Sequence, residues 1–403
     1  MSDSPDGAPV DGHGPETTED EGSQRVGWFE LFYDLVVVAA VAILGKVLIK
    51  TPDVQTTALV ATALLVLFAI WLLTTISHGM FTWDDPIRRA AVLAQMALLS
   101  VAALSIGKQG LPNWIGFLAA AGAMLTIVFI FTRHRRMAGP AQEVNGLIVK
   151  LSMAAVIAFA LSSVASVWLN SEQATIVAPI ILLIAAGIVL IPVITRLAAL
   201  LASGQAVDPH HLQERFGLFV IIVLGESLIG LLAALAGKGT IPNPMYFALT
   251  FLVAFSIWSI YFNGILPFGV PSSVNRLRAW LACHVLLVLA IVVTAVEFAD
   301  LTLNDAEYVQ GVPQETWTVL PMLLTVAVIS LLSFTLRSTW TLRGINLATL
   351  GVLSLLAIIE TRMSGEDGNW FVFLGAVLLM ADGVACSIAS YRRSGVRSQP
   401  SGA

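Results

Sequence analysis

The stretch Trp28-Phe29-Glu30-Leu31-Phe32-Tyr33-Asp34-Leu35-Val36-Val37-Val38 carries two carboxylates four residues apart, at the head of an apolar run that meets no further charge until Lys46. On a helix, positions i and i+4 share one face about a turn apart. Glu30 and Asp34 therefore enter the first two turns of a membrane-spanning segment together. An aspartate at the centre of such a helix costs roughly 2.5 to 3.5 kcal/mol on the insertion scale, and less near the interface. Something elsewhere in the fold must offset that cost, and finding the partner is the functional question.

The rest of the chain agrees with a membrane setting. Of 403 residues, 57% are hydrophobic and 12% charged, with a mean hydropathy of +0.86. Soluble domains hold about 25% charged residues, so the composition reads as an all-α polytopic membrane protein. The net charge of −5 says little about partners, because much of the acid lies in residues 1–24. That leader is rich in Gly, Pro, Asp, Glu and Ser, and has neither a basic start nor an apolar stretch. It is expected to be a disordered acidic tail and not a signal peptide. Cys283 and Cys386 fall in separate apolar segments and are expected as buried thiols, not as a disulfide or metal ligands. The chain contains no phosphate-binding glycine loop, nucleophile elbow or zinc-binding His-Glu-x-x-His. No cofactor and no nucleic acid are expected; the expected partners are membrane lipids and an ion or small molecule.

Apolar runs long enough to span a bilayer, about 20 residues each, fall near 28–49, 57–77, 89–106, 113–132, 147–169, 175–200, 215–236, 243–263, 277–299, 317–336, 340–361 and 369–391. That predicts twelve transmembrane helices. With the amino terminus inside, sixteen of the 21 Lys and Arg residues fall on the inner side and five on the outer. The positive-inside rule therefore predicts both termini inside and an even number of spans. The cluster Arg133-His134-Arg135-Arg136 reads as a topology anchor that also attracts anionic headgroups. Trp28, Trp83, Trp114, Trp168, Trp317, Trp340 and Trp370 lie at run ends, as an interfacial belt requires, whereas Trp71, Trp258 and Trp280 lie inside runs or just past their ends.

An internal repeat accounts for the exceptions. Glu30-x-Phe32 matches Glu214-x-Phe216 at an offset of 184, Ile70-Trp71 matches Ile257-Trp258 at 187, and Arg89 with Gln95 matches Arg278 with His284 at 189. Six helices per half make both copies enter the membrane in the same direction, a parallel repeat. The expected organisation is a tail over 1–24, a first six-helix half over 25–200, a cytoplasmic linker over 201–213, a second half over 214–393 and a disordered tail over 394–403.

The second informative stretch runs from His210-His211-Leu212-Gln213-Glu214-Arg215-Phe216 to Leu224-Gly225-Glu226-Ser227. Glu226 lies twelve residues past Glu214, about 18 Å along a helix at 1.5 Å per residue. A carboxylate near the midplane must face the bundle interior, protonated or paired. His210, His211 and Glu214 make a poor metal set, two adjacent histidines pointing to different faces, and read as a solvated first turn.

These two stretches, with Trp258-Ser259-Ile260-Tyr261-Phe262-Asn263, resemble the bacterial low temperature requirement A (LtrA) family over most of residues 25–395. The family's third segment is Trp-x-x-Tyr-Phe-Asp, and this chain departs from it at Asn263. The matching motif positions are Glu30, Asp34, His211, Glu214, Arg215, Glu226 and His284. The resemblance implies a multi-pass protein of the bacterial inner membrane named for growth in the cold, and it brings no biochemical activity with it.

Two roles compete for these residues. Glu30 and Asp34 could form a cytoplasmic clamp between the halves with Arg88, Arg89 or Arg215, Glu214 being either part of it or a solvated helix start. Alternatively, Asp34, Glu226, His284 and the deep Asp382 could form a proton-titratable path through a secondary transporter, since burial shifts carboxyl and imidazole titration alike. A membrane enzyme acting on a lipid-linked substrate and a non-transporting, stress-related scaffold are the alternatives. A cavity open to one aqueous side favours transport, a groove to lipid favours the enzyme, and a closed, fully paired core favours the scaffold.

Overall fold

The computed structural model describes residues 27–50, 54–81, 85–106, 113–133, 140–168, 171–199, 208–236, 238–303, 308–309, 312–338, 340–363 and 368–397. The acidic leader, His134 to Arg136, residues 201–207 of the expected linker and the chain beyond 397 lie outside the described residues.

Among the described residues twelve long helices follow one another: α1 (Trp28–Lys50), α2 (Val54–Met80), α3 (Pro86–Ile106), α4 (Asn113–Arg133), α5 (Pro140–Trp168), α6 (Ser171–Pro192, continued by a π turn over Val193–Leu197), α7 (Pro209–Leu235), α8 (Pro244–Gly264), α9 (Val274–Leu303), α10 (Gln314–Thr335), α11 (Trp340–Met363) and α12 (Gly368–Arg397). A two-residue antiparallel ladder, Tyr308–Val309 with Val312–Pro313, precedes α10. Among the described residues eleven helices are long and apolar enough to cross a membrane, one fewer than expected. The exception is α10, whose described apolar part is shortened to Val319–Thr335.

Helix ends follow local chemistry. Asp208 caps α7, accepting a hydrogen bond from the backbone N–H of His210 at 2.9 Å, with Pro209 at the first helical position. The helix thus begins inside the stretch expected as linker, and 209–213 form its first turn. Helix α12 likewise runs four residues into the stretch expected as a tail. Asp85 accepts from the Ile87 N–H at 3.0 Å at the start of α3, and Arg133 Nε at the end of α4 reaches its other oxygen at 2.7 Å. Pro192 has no N–H for the α-helical ladder, and the backbone continues as a π turn. The Thr195 carbonyl in that turn is taken by Arg278 from the start of α9.

Within residues 28–199, α1 packs on α2 and α3, α3 on α4, α4 on α5, α5 on α6, and α2 on α6. Within residues 209–397, α7 packs on α8 and α9, α9 on α10, α10 on α11, α11 on α12, and α8 on α12. Close approach in these pairs needs small residues: a Cβ on Gly116 of α4 would stand 2.6 Å from Ser105 Oγ of α3, and one on Gly383 of α12 3.1 Å from Ser259 Cβ of α8. The two sets meet where α1 lies against α7 and α9, and one continuous core runs through both. Large apolar side chains such as Leu118, Leu161, Ile184, Leu355 and Ile388 cover the outside, the surface expected of helices solvated by lipid.

Candidate functional site

Helix α1 presents Glu30 and Asp34, its third and seventh residues, to His211 and Arg215, the third and seventh residues of α7. The helices run side by side in the same direction, so one i, i+4 pair of acids meets one i, i+4 pair of bases. Arg215 Nη2 donates to Asp34 Oδ1 at 2.8 Å, Arg215 Nη1 lies 3.6 Å from Glu30 Oε2, and His211 Nε2 lies 3.4 Å from the same oxygen. The two longer distances are close polar contacts and not hydrogen bonds. All four residues are buried, Asp34 and Arg215 completely. We call this arrangement the ladder.

The neighbours of α2 and α3 complete it. Trp71 Nε1 donates to Asp34 Oδ1 at 2.7 Å, and the Thr75 hydroxyl stands 3.5 Å from Arg215 Nη2. The Tyr33 hydroxyl donates to Thr74 Oγ1 at 3.2 Å, which in turn lies 3.1 Å from Gln95 Oε1. Buried Arg88 donates to the Ser77 carbonyl at 2.6 Å and sits over the Phe81 ring, and its charge acts on Glu30. His78 is buried edge-on to Tyr33. Two carboxylates thus share a buried region with two guanidinium groups, the balance that makes burial of all four charges tolerable.

The partner of Asp34 is therefore Arg215. Arg88 joins the cluster, Arg89 is exposed on α3, and Glu214 is half-buried on α7 with no ion pair to a described residue. The reading of His211 as part of a solvated turn is corrected: it is 2% exposed, because α1 covers that face of α7, while His210 alone faces out. Glu360, near the end of α11, is also buried. The contributions of Tyr33, Thr74, Gln95 and His78 were not legible in the sequence. Trp71 had a signal, an indole inside an apolar run that no interfacial role explains.

Beyond the ladder lies an aromatic layer. Trp71 stacks on Phe219 with centroids 4.3 Å apart and meets Phe216 edge-on at 5.1 Å. Phe216 in turn packs on Trp280 and His284 of α9. Beyond that layer, towards the carboxyl-terminal ends of α1, α7 and α9, a partly open cavity of about 340 Å³ separates the three helices. Its walls are mostly Ala, Gly, Val and Leu, and it holds two charged side chains, Lys46 of α1 and Glu226 of α7. Along α7 the order is therefore ladder (His211, Arg215), aromatic layer (Phe216, Phe219), cavity (Val223, Glu226, Ser227, Gly230). Glu226 lies eleven residues past Arg215, about 16 Å along the axis. A second cavity of about 360 Å³ lies among α1, α2, α3, α4 and α6, and is lined by no charged residue.

The four residues expected along a proton path occupy four surroundings, and no hydrogen bond joins any two of them directly. Asp34 is in the ladder and Glu226 in the cavity wall. His284 is buried, with Nδ1 at 2.8 Å from the Trp280 carbonyl and Nε2 at 3.0 Å from the Tyr261 hydroxyl. A carbonyl can only accept, so in the neutral ring Nδ1 carries the proton and Nε2 accepts from Tyr261. Asp382 lies between α11 and α12, bonded by the Thr349 hydroxyl and by Cys386 Sγ at 3.5 Å; that sulfur also stands 3.8 Å from Asn346 Oδ1. Asn263, where the family segment has Asp, donates to Ser387 of α12 at 3.0 Å.

These features define a multi-span helical membrane protein with a buried ionic cluster joining its two sets of helices. The chain belongs to the bacterial low temperature requirement A family, whose model matches residues 25–382. No curated protein matches the chain.

Proposed function

We propose that the protein is a secondary transporter of the bacterial inner membrane, with one end of its central path closed and the other open. The observation that carries the reading is the succession along α1 and α7: an ion-pair ladder, an aromatic layer, then a cavity with a carboxylate in its wall. With both termini inside, as sixteen of the 21 Lys and Arg residues favour, the ladder is the cytoplasmic gate and the cavity faces outward.

The reading treats the two sets of six helices as parallel repeats. Their matching neighbour relations support this, α2 on α6 answering α8 on α12. So does one pair of hydrogen-bonded contacts: Thr74 with Gln95 joins α2 to α3, and Tyr261 with His284 joins α8 to α9. At the offsets already noted, 187 and 189, these are the same two positions in each half. Parallel repeats that rock about a site between them are one arrangement used for alternating access.

In this mechanism Glu226 is the carboxylate that exchanges protons with the outer cavity, and Asp34 is the one that locks the gate. Separating Asp34 from Arg215 leaves two buried charges unpaired, which is costly. Protonating Asp34 removes one of them and lets the halves part. His284 and Asp382 brace the second half beside this route.

The test is proton movement in proteoliposomes carrying a trapped pH dye, with candidate solutes added outside. Wild-type protein should show solute-dependent proton uptake, and Glu226→Gln should lose it. Equal uptake by Glu226→Gln at every pH would overturn the proposal. A cysteine introduced at Ala42 should also react with a membrane-impermeant maleimide from outside intact cells, since Cys283 and Cys386 are buried.

A further inference from the structure

The ladder fixes the register of α1 against α7, and that register extends into the cavity. Glu30 faces His211 and Asp34 faces Arg215, each pair 181 residues apart. Carried along two helices that run in the same direction, the same offset sets Lys46 level with Ser227, one residue from Glu226. At a rise of about 1.5 Å per residue the two charges stand at nearly one height. Both line the cavity, yet they do not form an ion pair, and neither has a hydrogen-bond partner among the described residues. Lys46 is exposed and Glu226 is half-buried.

A half-buried carboxylate set in a wall of Ala, Val and Leu side chains, with no cation beside it among the described residues, favours binding one. Across the gap, an unpartnered ammonium favours an anion. The rest of the wall is apolar apart from the Ser227 hydroxyl. A volume of about 340 Å³ is at the small end of the range of roughly 300 to 1,000 Å³ for small-molecule sites.

We infer that the cavity binds a small zwitterion with an aliphatic body, of the size and charge pattern of an aliphatic α-amino acid, its ammonium on Glu226 and its carboxylate towards Lys46. This rests on the transport reading and names the class of its substrate. The wall explains the preference for an apolar body, since apart from Ser227 its other lining side chains are apolar. The two charges explain the preference for a zwitterion over a simple amine or acid, because either alone leaves one wall charge unanswered.

The experiment is binding to the purified full-length protein, followed by calorimetry and by its melting temperature. The probes are alanine, valine and leucine, with isopentylamine and 4-methylpentanoate as analogues of leucine bearing one charge. At least one amino acid should bind, and leucine should bind at least about tenfold more tightly than either analogue. Glu226→Gln and Lys46→Gln should each weaken binding by at least about tenfold, while melting without ligand as the wild type does. The reversed pair Lys46→Glu with Glu226→Lys should recover part of the binding, because it restores one charge of each sign across the cavity. That arm keeps the test valid if a single variant folds poorly.

An amine that binds as tightly as leucine would remove Lys46 from the site and overturn the inference. So would failure of all three amino acids to bind, or binding left intact by both single substitutions. If binding fails while a cysteine at Ala42 is labelled from outside and solute-dependent proton uptake persists, the transport reading stands and the zwitterion alone is wrong.

Discussion

Asp34 and Arg215 are 181 residues apart in the chain and 2.8 Å apart in space, both without measurable exposure. Together with the contacts of Glu30 to His211 and Arg215, it joins α1 to α7. A buried ion pair is not in itself a large source of stability, because desolvation opposes the attraction, but removing one partner strands the other.

Asp34→Asn should therefore destabilise the protein by about 3 to 5 kcal/mol, since Arg215 keeps its charge and loses its hydrogen-bonded carboxylate, the Glu30 contact at 3.6 Å remaining. The measurement is yield and melting temperature in detergent. Adding Arg215→Gln should recover part of the loss, with a coupling energy of about 1 kcal/mol or more. Additive losses would mean that the two side chains do not act as a pair.

Trp71→Phe keeps the ring on Phe219 and removes the N–H that reaches Asp34. A hydrogen bond to a charged group contributes about 1.5 to 3 kcal/mol, so this variant should melt between the wild type and Asp34→Asn. A loss as large as that of Asp34→Asn would place the main role of Trp71 in packing.

Gly116→Ala drives a methyl group to 2.6 Å from Ser105 Oγ and 2.8 Å from its Cβ. Overpacking of this kind costs about 1 to 3 kcal/mol. The double variant Gly116→Ala with Ser105→Gly should melt above the single one, because the methyl group then has room. Equal melting of the single variant and the wild type would mean that α3 and α4 move apart freely.

Asp85, outside the spans, is held below the usual carboxylate value of 3.8, first by the Arg133 hydrogen bond. A depressed carboxyl adds stability above its unfolded-state pKa and loses it as pH falls through the folded value. The wild type should therefore outlast Arg133→Gln at neutral pH, and the difference should fade as pH drops below 3.8. It should also shrink in high salt, because Asp85 and Arg133 are both partly exposed. Thermal melts of the two proteins across pH and salt give the answer. A difference that persists in strong acid would assign the effect to packing.

Part of the candidate site was legible because it is local. The four-residue spacing of Glu30 and Asp34 puts both on one helix face whatever that face meets, and an acid in an apolar run announces that a partner exists. The spacing of His211 and Arg215 is the same, yet the sequence reading took His211 for a solvated turn. Nothing in α7 alone says that α1 covers it. Lys46 was visible only as the charge that ends an apolar run, because its relation to Glu226 depends on the register between two helices. His284 and Asp382 were found as polar residues in apolar surroundings, and their hydrogen-bond partners, Tyr261 and Cys386, lie 23 and 4 residues away.

The sequence by itself determined the approximate limits of the helices, of which eleven among the described residues are long and apolar enough to span. A lipid-solvated segment must satisfy its own backbone hydrogen bonds and supply about twenty apolar residues, and both requirements are local. Only the tertiary structure decided that Arg215 meets Asp34, that His284 is held by Tyr261, and that Lys46 and Glu226 face one cavity. Helical periodicity assigns each side chain to a face, but which helix covers that face, and in what register, is set by packing between segments far apart in the chain.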